Sequence, residues 1–427
     1  MAGAPTNSNS DNEAASLKFL VRALRHRNYR LFFGGQSVSL IGTWMTRIAT
    51  SWLVYRLTHS AMLLGIVGFA GQIPVFIFAP FAGVWVDRWN RHRVLLATQA
   101  LAMLQSFALA ALALTGRITA WDIIWLSAFQ GLINAFDMPA RQAFVVEMVD
   151  DRRDLGNAIA LNSSMVNMAR LIGPSVAGII IAAVGEGYCF LIDGISYIAV
   201  IASLLLMRLG AFVPLRRNVN TLADLKEGWQ YVTGFAPVRY VLLLLAVASL
   251  MGMPYMVLMP IFAGNILHGG AHTLGFLMGA TGVGALTGAV ILAARKTVIG
   301  LGRLIVFASA LFGAGLVAFA SSRLLWLSLV MMFFVGFGMM QHMASSNTIL
   351  QTITPDDKRG RVMSYYTVAI VGMMPFGSLL SGALAARMGA PATLALGGAC
   401  CMFAAGLFAF RLNRIRQLVR PIYMKLG

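Results

Sequence analysis

The side chains in this chain best placed to do chemistry are charged groups set inside long apolar segments: Arg47, Asp137, Arg170 and Asp193. A carboxylate in such a place can take a proton from one side of a membrane and release it to the other when burial and neighbouring charge poise it. Asp137 stands one helical turn from Arg141, so it reads equally as a proton carrier or as half of a structural ion pair. Asp193 has no cation in its own segment, which fits a hydrogen-bonded helix contact or a proton carrier. Arg47 and Arg170 either draw an anionic group inward or pair with a buried acid or with helix carbonyls. An arginine at mid-membrane costs at least about 2.5–3.5 kcal/mol on insertion scales unless it is paired or hydrated. That cost favours a water-filled cavity.

Polar residues accompany these charges at helical spacing. Gln36, Ser39, Thr43 and Arg47 follow at steps of 3, 4 and 4, and Gln130, Asn134, Asp137 and Arg141 at steps of 4, 3 and 4. Ser163, Asn167, Arg170 and Pro174 form a third stripe, and Gln341, Ser345 and Thr348 a weaker fourth. At about 100° per residue each set shares one helix face, so four helices present polar faces from otherwise apolar segments.

The elements that position them are membrane helices. Of 427 residues 59% are hydrophobic and only 11% charged, too few charges to solvate a water-soluble surface of this size. Twelve apolar runs, near 30–56, 61–86, 94–115, 120–147, 155–185, 187–208, 238–267, 272–294, 303–320, 323–350, 361–387 and 391–411, approach or exceed the roughly 20 residues that span a bilayer. With both termini inside, 27 of the 33 Lys and Arg fall on the cytoplasmic side, the bias that sets orientation. The net charge of +18 is therefore topological, matched to anionic lipid on the cytoplasmic face and not to nucleic acid. The expected class is an all-α polytopic protein of twelve helices in the cell membrane. Its parts are a cytoplasmic segment (1–28), a six-helix bundle (29–209), a linker (210–237), a second six-helix bundle (238–411) and a basic tail (412–427). The first sixteen residues lack the apolar core of a signal peptide, so the first span is expected to act as the targeting signal. The basic stretch 18–30 is expected to lie along the headgroups, and 221–235 to form a short surface helix.

The chain repeats itself at an offset of 204 residues. Gly156, Gly173 and Gly178 match Gly360, Gly377 and Gly382, and the charged turn VDDRRDLG (149–156) meets TPDDKRG (354–360). Two related halves, each with a glycine-rich helix after a charged turn, imply a duplicated transporter. Cys189, Cys400 and Cys401 sit in apolar spans and form no disulfide framework, and His268, His272 and His342 have no metal spacing. No phosphate loop, nucleophile elbow or zinc motif is present, so neither an enzyme nor an ATP-driven pump is expected and no cofactor is implied.

The stretch GVWVDRWNRHRV (83–94) resembles the loop signature between spans 2 and 3 of the major facilitator superfamily. Gly83, Asp87, Arg88, Arg91 and Arg93 occupy its positions, while Asn90 stands where the family has glycine and is expected to preserve the turn by tolerating the left-handed conformation. Gly173, Pro174 and Gly178 resemble the span-5 motif of the superfamily's antiporters. NYRLFFGGQSVSLIGTWM, DMPARQAFVVEMV and NAIALNSSMVNMARLIGP are similar to the branch of enterobactin exporters and macrolide efflux proteins. The resemblance implies two six-helix bundles around a cavity lined by spans 1, 4, 7 and 10, opening alternately to each side, in a monomer. It makes Asp87 a gate latch with Arg88, Arg91 and Arg93 as basic partners, and Arg141 a further partner for Asp87. It also implies export of a small amphipathic molecule, such as a siderophore, macrolide or other drug, in exchange for protons. Arg47 where such antiporters carry an acid, and Ser127 where they carry an arginine, depart from their proton-coupling pattern. A lipid flippase-like facilitator or a partner subunit of a membrane enzyme is the competing class.

Overall fold

The computed structural model describes residues 22–209, 221–295 and 297–423, apart from a few side chains within them. Every regular element among them is helical. The spans are 1 (Arg27–Thr58), 2 (Ala61–Arg88), 3 (Arg91–Leu114), 4 (Ala120–Phe144), 5 (Leu155–Val184) and 6 (Glu186–Leu205) in the first half. In the second half they are 7 (Ala236–Ile266), 8 (Ala271–Ala293), 9 (Leu301–Ser321), 10 (Leu325–Ile353), 11 (Asp356–Met388) and 12 (Ala390–Tyr423). Helices are the only open-ended way to satisfy the backbone in hydrocarbon. Ten of these are apolar and long enough to cross a membrane. The other two, spans 1 and 4, have 32 and 25 residues, and their polar stripes dilute their hydropathy. Span 12 does not stop near 411; its helix runs on to Tyr423 with Ile415 and Val419 buried.

Local chemistry sets the helix ends. The Ser60 hydroxyl accepts from the Leu63 amide at 3.3 Å, and Thr119 and Asp122 form a reciprocal capping box, as expected for an acid at a helix start. Gly185 (φ 93°) and Gly389 (φ 85°), themselves 204 residues apart, turn the chain from the fifth to the sixth helix of each half. A left-handed turn of this kind is glycine's ordinary role.

The repeated glycines organise the assembly. A Cβ on Gly173 would meet the Trp44 side chain and, at 3.0 Å, the Ile41 carbonyl, so span 5 lies against span 1 of its own half. Gly377 packs the same way on Leu250 and Pro254 of span 7. A Cβ on Gly178 would lie 2.8 Å from the Ala271 carbonyl of span 8, and one on Gly382 2.8 Å from the Gly65 Cα of span 2. Each fifth helix thus uses one glycine inside its own half and one across to the other. Close backbone approach between small residues is how membrane helices associate without a hydrophobic drive.

These crossings lie at one end of the molecule, called here the crown, opposite the base that carries Arg22, Tyr423 and the helix Thr221–Gly234. The Tyr55 hydroxyl also bonds the Asn265 side chain across the crown at 2.5 Å. The seams end at mid-height, span 5 against span 8 at Leu171 and Gly282 and span 2 against span 11 at Phe76 and Gly372. Towards the base Ser163, Ser164, Met168, Phe78 and Phe81 are exposed, and a Cβ on Gly83, Gly156 or Gly360 would meet nothing. The halves are sealed at the crown and parted at the base.

Two lead-in segments clamp the base. Residues 22–26 do not lie free along the headgroups: Arg22 and Arg25 each reach Asp154 at 2.7 Å, and His26 bridges Asp150 and Asp154 at 3.2 and 2.9 Å. The acids of the charged turn offer a nearer counter-charge than lipid. In the second half the helix Thr221–Gly234 docks on span 11 through Glu227 and Arg361 at 2.6 Å. The Ala23 amide bonds Asn157 at 2.9 Å, and Glu227 and Arg361 are those two positions 204 residues on.

Candidate functional site

The site grows from the contact between spans 1 and 5. Because Gly173 lacks a side chain, the Trp44 ring settles between the two helices and meets both arginines. The Arg47 guanidinium carbon lies 4.7 Å from the Trp44 ring centroid and that of Arg170 5.2 Å. Both distances suit cation–π attraction. No carboxylate lies within ion-pair distance of either arginine among the described residues, and Arg170 Nε has no partner at all. The two guanidiniums share one ring and repel each other, and the buried Tyr255 hydroxyl of span 7 has no hydrogen-bond partner. Arg47 is nonetheless exposed, although it sits midway along its span. Two cations without a carboxylate partner thus flank one indole, near the level where the seams between the halves end.

The acids divide into two kinds. Asp137, 2% exposed, accepts from Thr98 at 3.0 Å, from Gln99 at 2.7 Å and from Arg141 of its own helix. It points into the first bundle, fully satisfied, as a structural ion pair. Asp193, 1% exposed, accepts from the Thr46 and Ser106 hydroxyls at 2.8 Å each, and its Oδ1 has no partner. It ties span 6 to spans 1 and 3 with no cation, one residue in sequence from Arg47 through Thr46.

The other stripe residues scatter. Gln36 is buried, and Thr43 bonds the Ser39 carbonyl at 3.0 Å and Tyr197 at 3.3 Å. Gln130 and Asn134 bond each other at 3.3 Å on the partly open face of span 4. Asn167 donates to the Ser163 carbonyl at 3.0 Å, on the stretch of span 5 below the seam. Gln341 is buried and donates to the Gly288 carbonyl of span 8 at 3.1 Å, so in this conformation it binds helix to helix. Trp44, Thr46, Ser106, Thr98 and Gln99 escaped the sequence reading. Thr98-Gln99, a polar pair in an apolar span, was a usable signal; Trp44 carried none of its own.

At the base, Arg91 pairs with Glu147 at 2.6 Å, Arg88 and Arg93 are exposed, and Arg141 pairs with Asp137; the Asp87 side chain lies outside the described residues. Asn90 is not left-handed. It sits at φ −67° as the cap of span 3, accepting from the Arg93 amide at 3.1 Å, which explains why asparagine serves where glycine was expected. Outside the spans, Arg153 hydrogen-bonded to Asp151 holds that carboxyl down at about 2.

Comparison with known proteins agrees with this architecture. The family described as transmembrane secretion effector, within the major facilitator superfamily, matches residues 21–420. The chain belongs to that family. Among its relatives this transmembrane secretion effector is 25% identical to the Staphyloferrin A transporter of Staphylococcus aureus over 91% of its own length and 97% of the relative's. It is 28% identical to the multidrug efflux pump Tap of Mycolicibacterium fortuitum, covering 88% and 93% of the two chains. Macrolide efflux protein A of Streptococcus pyogenes is 22% identical, with 92% and 99% covered. Solved structures of a peptide transporter POT (TM-score 0.70, 13% identity, 92% and 95% covered) and of the nucleoside transporter NupG (0.67, 13%, 90% and 99%) share the fold. The effector is thus a multi-pass membrane transporter of the efflux type, with a small molecule as its substrate.

Proposed function

We propose that this effector is a secondary exporter of a small amphipathic anion, exchanging it for protons by alternating access across the cell membrane with the base and both termini in the cytoplasm. The observation that carries the reading is the Arg47–Trp44–Arg170 group. Its cations suit a carboxylate or similar anion, and its indole suits an apolar or aromatic body. Among efflux substrates this favours an anionic siderophore over a cationic drug. The parted base receives substrate from the cytoplasm, and the glycine seams at the crown must open to release it. Asp193 is the proposed proton carrier, because hydroxyls hold it where a cation would lock its charge, and it shares span 1 with the arginine site through Thr46. Asp137, paired with Arg141, is assigned to structure.

The test uses cells stripped of their own exporters, carrying either the effector or an empty vector. Retention of a mixed siderophore and antibiotic panel is measured by mass spectrometry with and without a protonophore. Lower retention of anionic compounds in effector cells, abolished by the protonophore, supports the reading. Equal retention of every compound despite confirmed membrane expression refutes it and directs attention to lipid transport.

A further inference from the structure

Away from the central cleft, the second half carries a groove of about 540 Å³ at its base, between spans 7, 9, 10 and 12. Its walls are apolar: Val241, Ile349, Phe408 and Leu412. Three arginines rim it, Arg303 in the first turn of span 9 and Arg416 and Arg420 one turn apart on span 12. None of the three has a carboxylate within ion-pair distance among the described residues, and the sequence shows why. Residues 228–355 contain no Asp or Glu, and none follows Asp357, so all four lining spans are free of acids. Three cations are gathered on helices that hold no counter-charge for them.

We infer that this groove binds one anionic phospholipid of the leaflet at the base, its acyl chain along the apolar wall and its phosphate on Arg303, Arg416 and Arg420. Dimensions and depth agree. Span 9 has 21 residues, about 31 Å, just the hydrocarbon thickness, which puts Arg303 at headgroup level. From Phe408 to Arg420 span 12 rises about 18 Å, close to one leaflet with its headgroup. The order along the groove, apolar towards the crown and cationic towards the base, is that of a lipid standing in the membrane. A soluble anion would use the arginines and leave the wall bare. A neutral lipid would use the wall and leave the arginines uncompensated. The site is independent of the cargo: it anchors the second half, through spans 9 and 12, to the leaflet whose charge matches the chain's basic side.

The experiment is native mass spectrometry of the purified full chain with three probes: dioleoyl phosphatidylglycerol, phosphatidylcholine with the same chains, and soluble glycerol phosphate. Two variants are compared with wild type. One carries Arg303→Gln, Arg416→Gln and Arg420→Gln together; the other, Leu412→Trp, fills the groove and keeps every arginine. The wild type retains one phosphatidylglycerol that phosphatidylcholine does not match and excess glycerol phosphate does not displace. The triple variant holds that lipid on the order of a hundredfold more weakly, from the roughly tenfold or smaller contribution of each basic residue near a lipid phosphate. Leu412→Trp loses it as well. Equal retention by the triple variant overturns the inference. So does displacement by glycerol phosphate, which would make the site a bare anion site, or full retention by Leu412→Trp, which would leave the groove without a role. Should the triple variant not fold, the Leu412→Trp and glycerol phosphate arms still decide.

Discussion

Adding a single methyl group at Gly178 tests how the crown is sealed. A Cβ there would sit 2.8 Å from the Ala271 carbonyl and 3.1 Å from the Gly275 Cα, all backbone that no rotamer change can move. Ordinary contact begins at 3.4 Å, so spans 5 and 8 must part by about 0.6 Å, 3.4 less 2.8. Overpacking of this kind costs about 1–3 kcal/mol. The cost falls only on the state in which these helices touch, so Gly178→Ala shifts the balance towards a crown-open state by about 5- to 150-fold. The assay is a spin-label distance between Arg117→Cys and Arg323→Cys, on the two halves at the crown, with Cys189, Cys400 and Cys401 replaced by alanine. Gly178→Ala lengthens that distance or adds a longer population. Gly34→Ala, where a Cβ meets nothing within 4 Å, leaves it unchanged. Identical distributions for Gly178→Ala and wild type, or an equal response to Gly34→Ala, refute the reasoning.

Other consequences concern the charges. Arg47→Gln and Arg170→Gln each raise the apparent KM for an anionic substrate about tenfold to a hundredfold, the worth of one charged hydrogen bond, and leave an uncharged ester of the same compound unaffected; transport kinetics on the pair of compounds checks this. Asp193→Asn stops accumulation driven by a pH gradient yet keeps substrate exchange, which counterflow measurements separate. Asp137→Asn leaves transport coupling intact and strands Arg141, a loss of about 1–3 kcal/mol read as a lower Tm. Asp151, held at about 2 against an ordinary 3.8, keeps its contact with Arg153 from neutral pH down to about 4 and loses it as pH falls towards 2; a carboxyl-carbon titration by NMR should find that midpoint.

Much of this architecture is written locally in the chain. Two of the three glycine pairs in the 204-residue repeat, Gly173/Gly377 and Gly178/Gly382, do the packing, because a glycine needed for close approach recurs where the approach recurs, while Gly156 and Gly360 meet nothing. The Asp137–Arg141 pair is legible from its spacing of four. The partners at the proposed site are not local. Thr46 and Ser106 reach Asp193 from spans 1 and 3, and nothing in either segment announces the meeting. Trp44 lies three residues before Arg47, but its second arginine comes from span 5 and depends on the missing side chain of Gly173. Gln36 and Gln341 show the opposite failure: a polar stripe records which face is polar, not whether it meets water or a neighbouring helix. The lead-in at 22–26 was read as a membrane-surface segment because its basic charge is local and the acids that hold it lie some 130 residues away.

The central claim is that the protein moves an amphipathic anion against a proton gradient through the Arg47–Trp44–Arg170 group. Its most direct test is uptake into proteoliposomes of the anionic compound that wild-type cells retain least, under an imposed pH gradient. The predicted result is accumulation above equilibrium by the wild type that collapses with a protonophore and is lost in the Arg47→Gln, Arg170→Gln double variant. Accumulation that persists in the double variant, or transport indifferent to the pH gradient, contradicts the account.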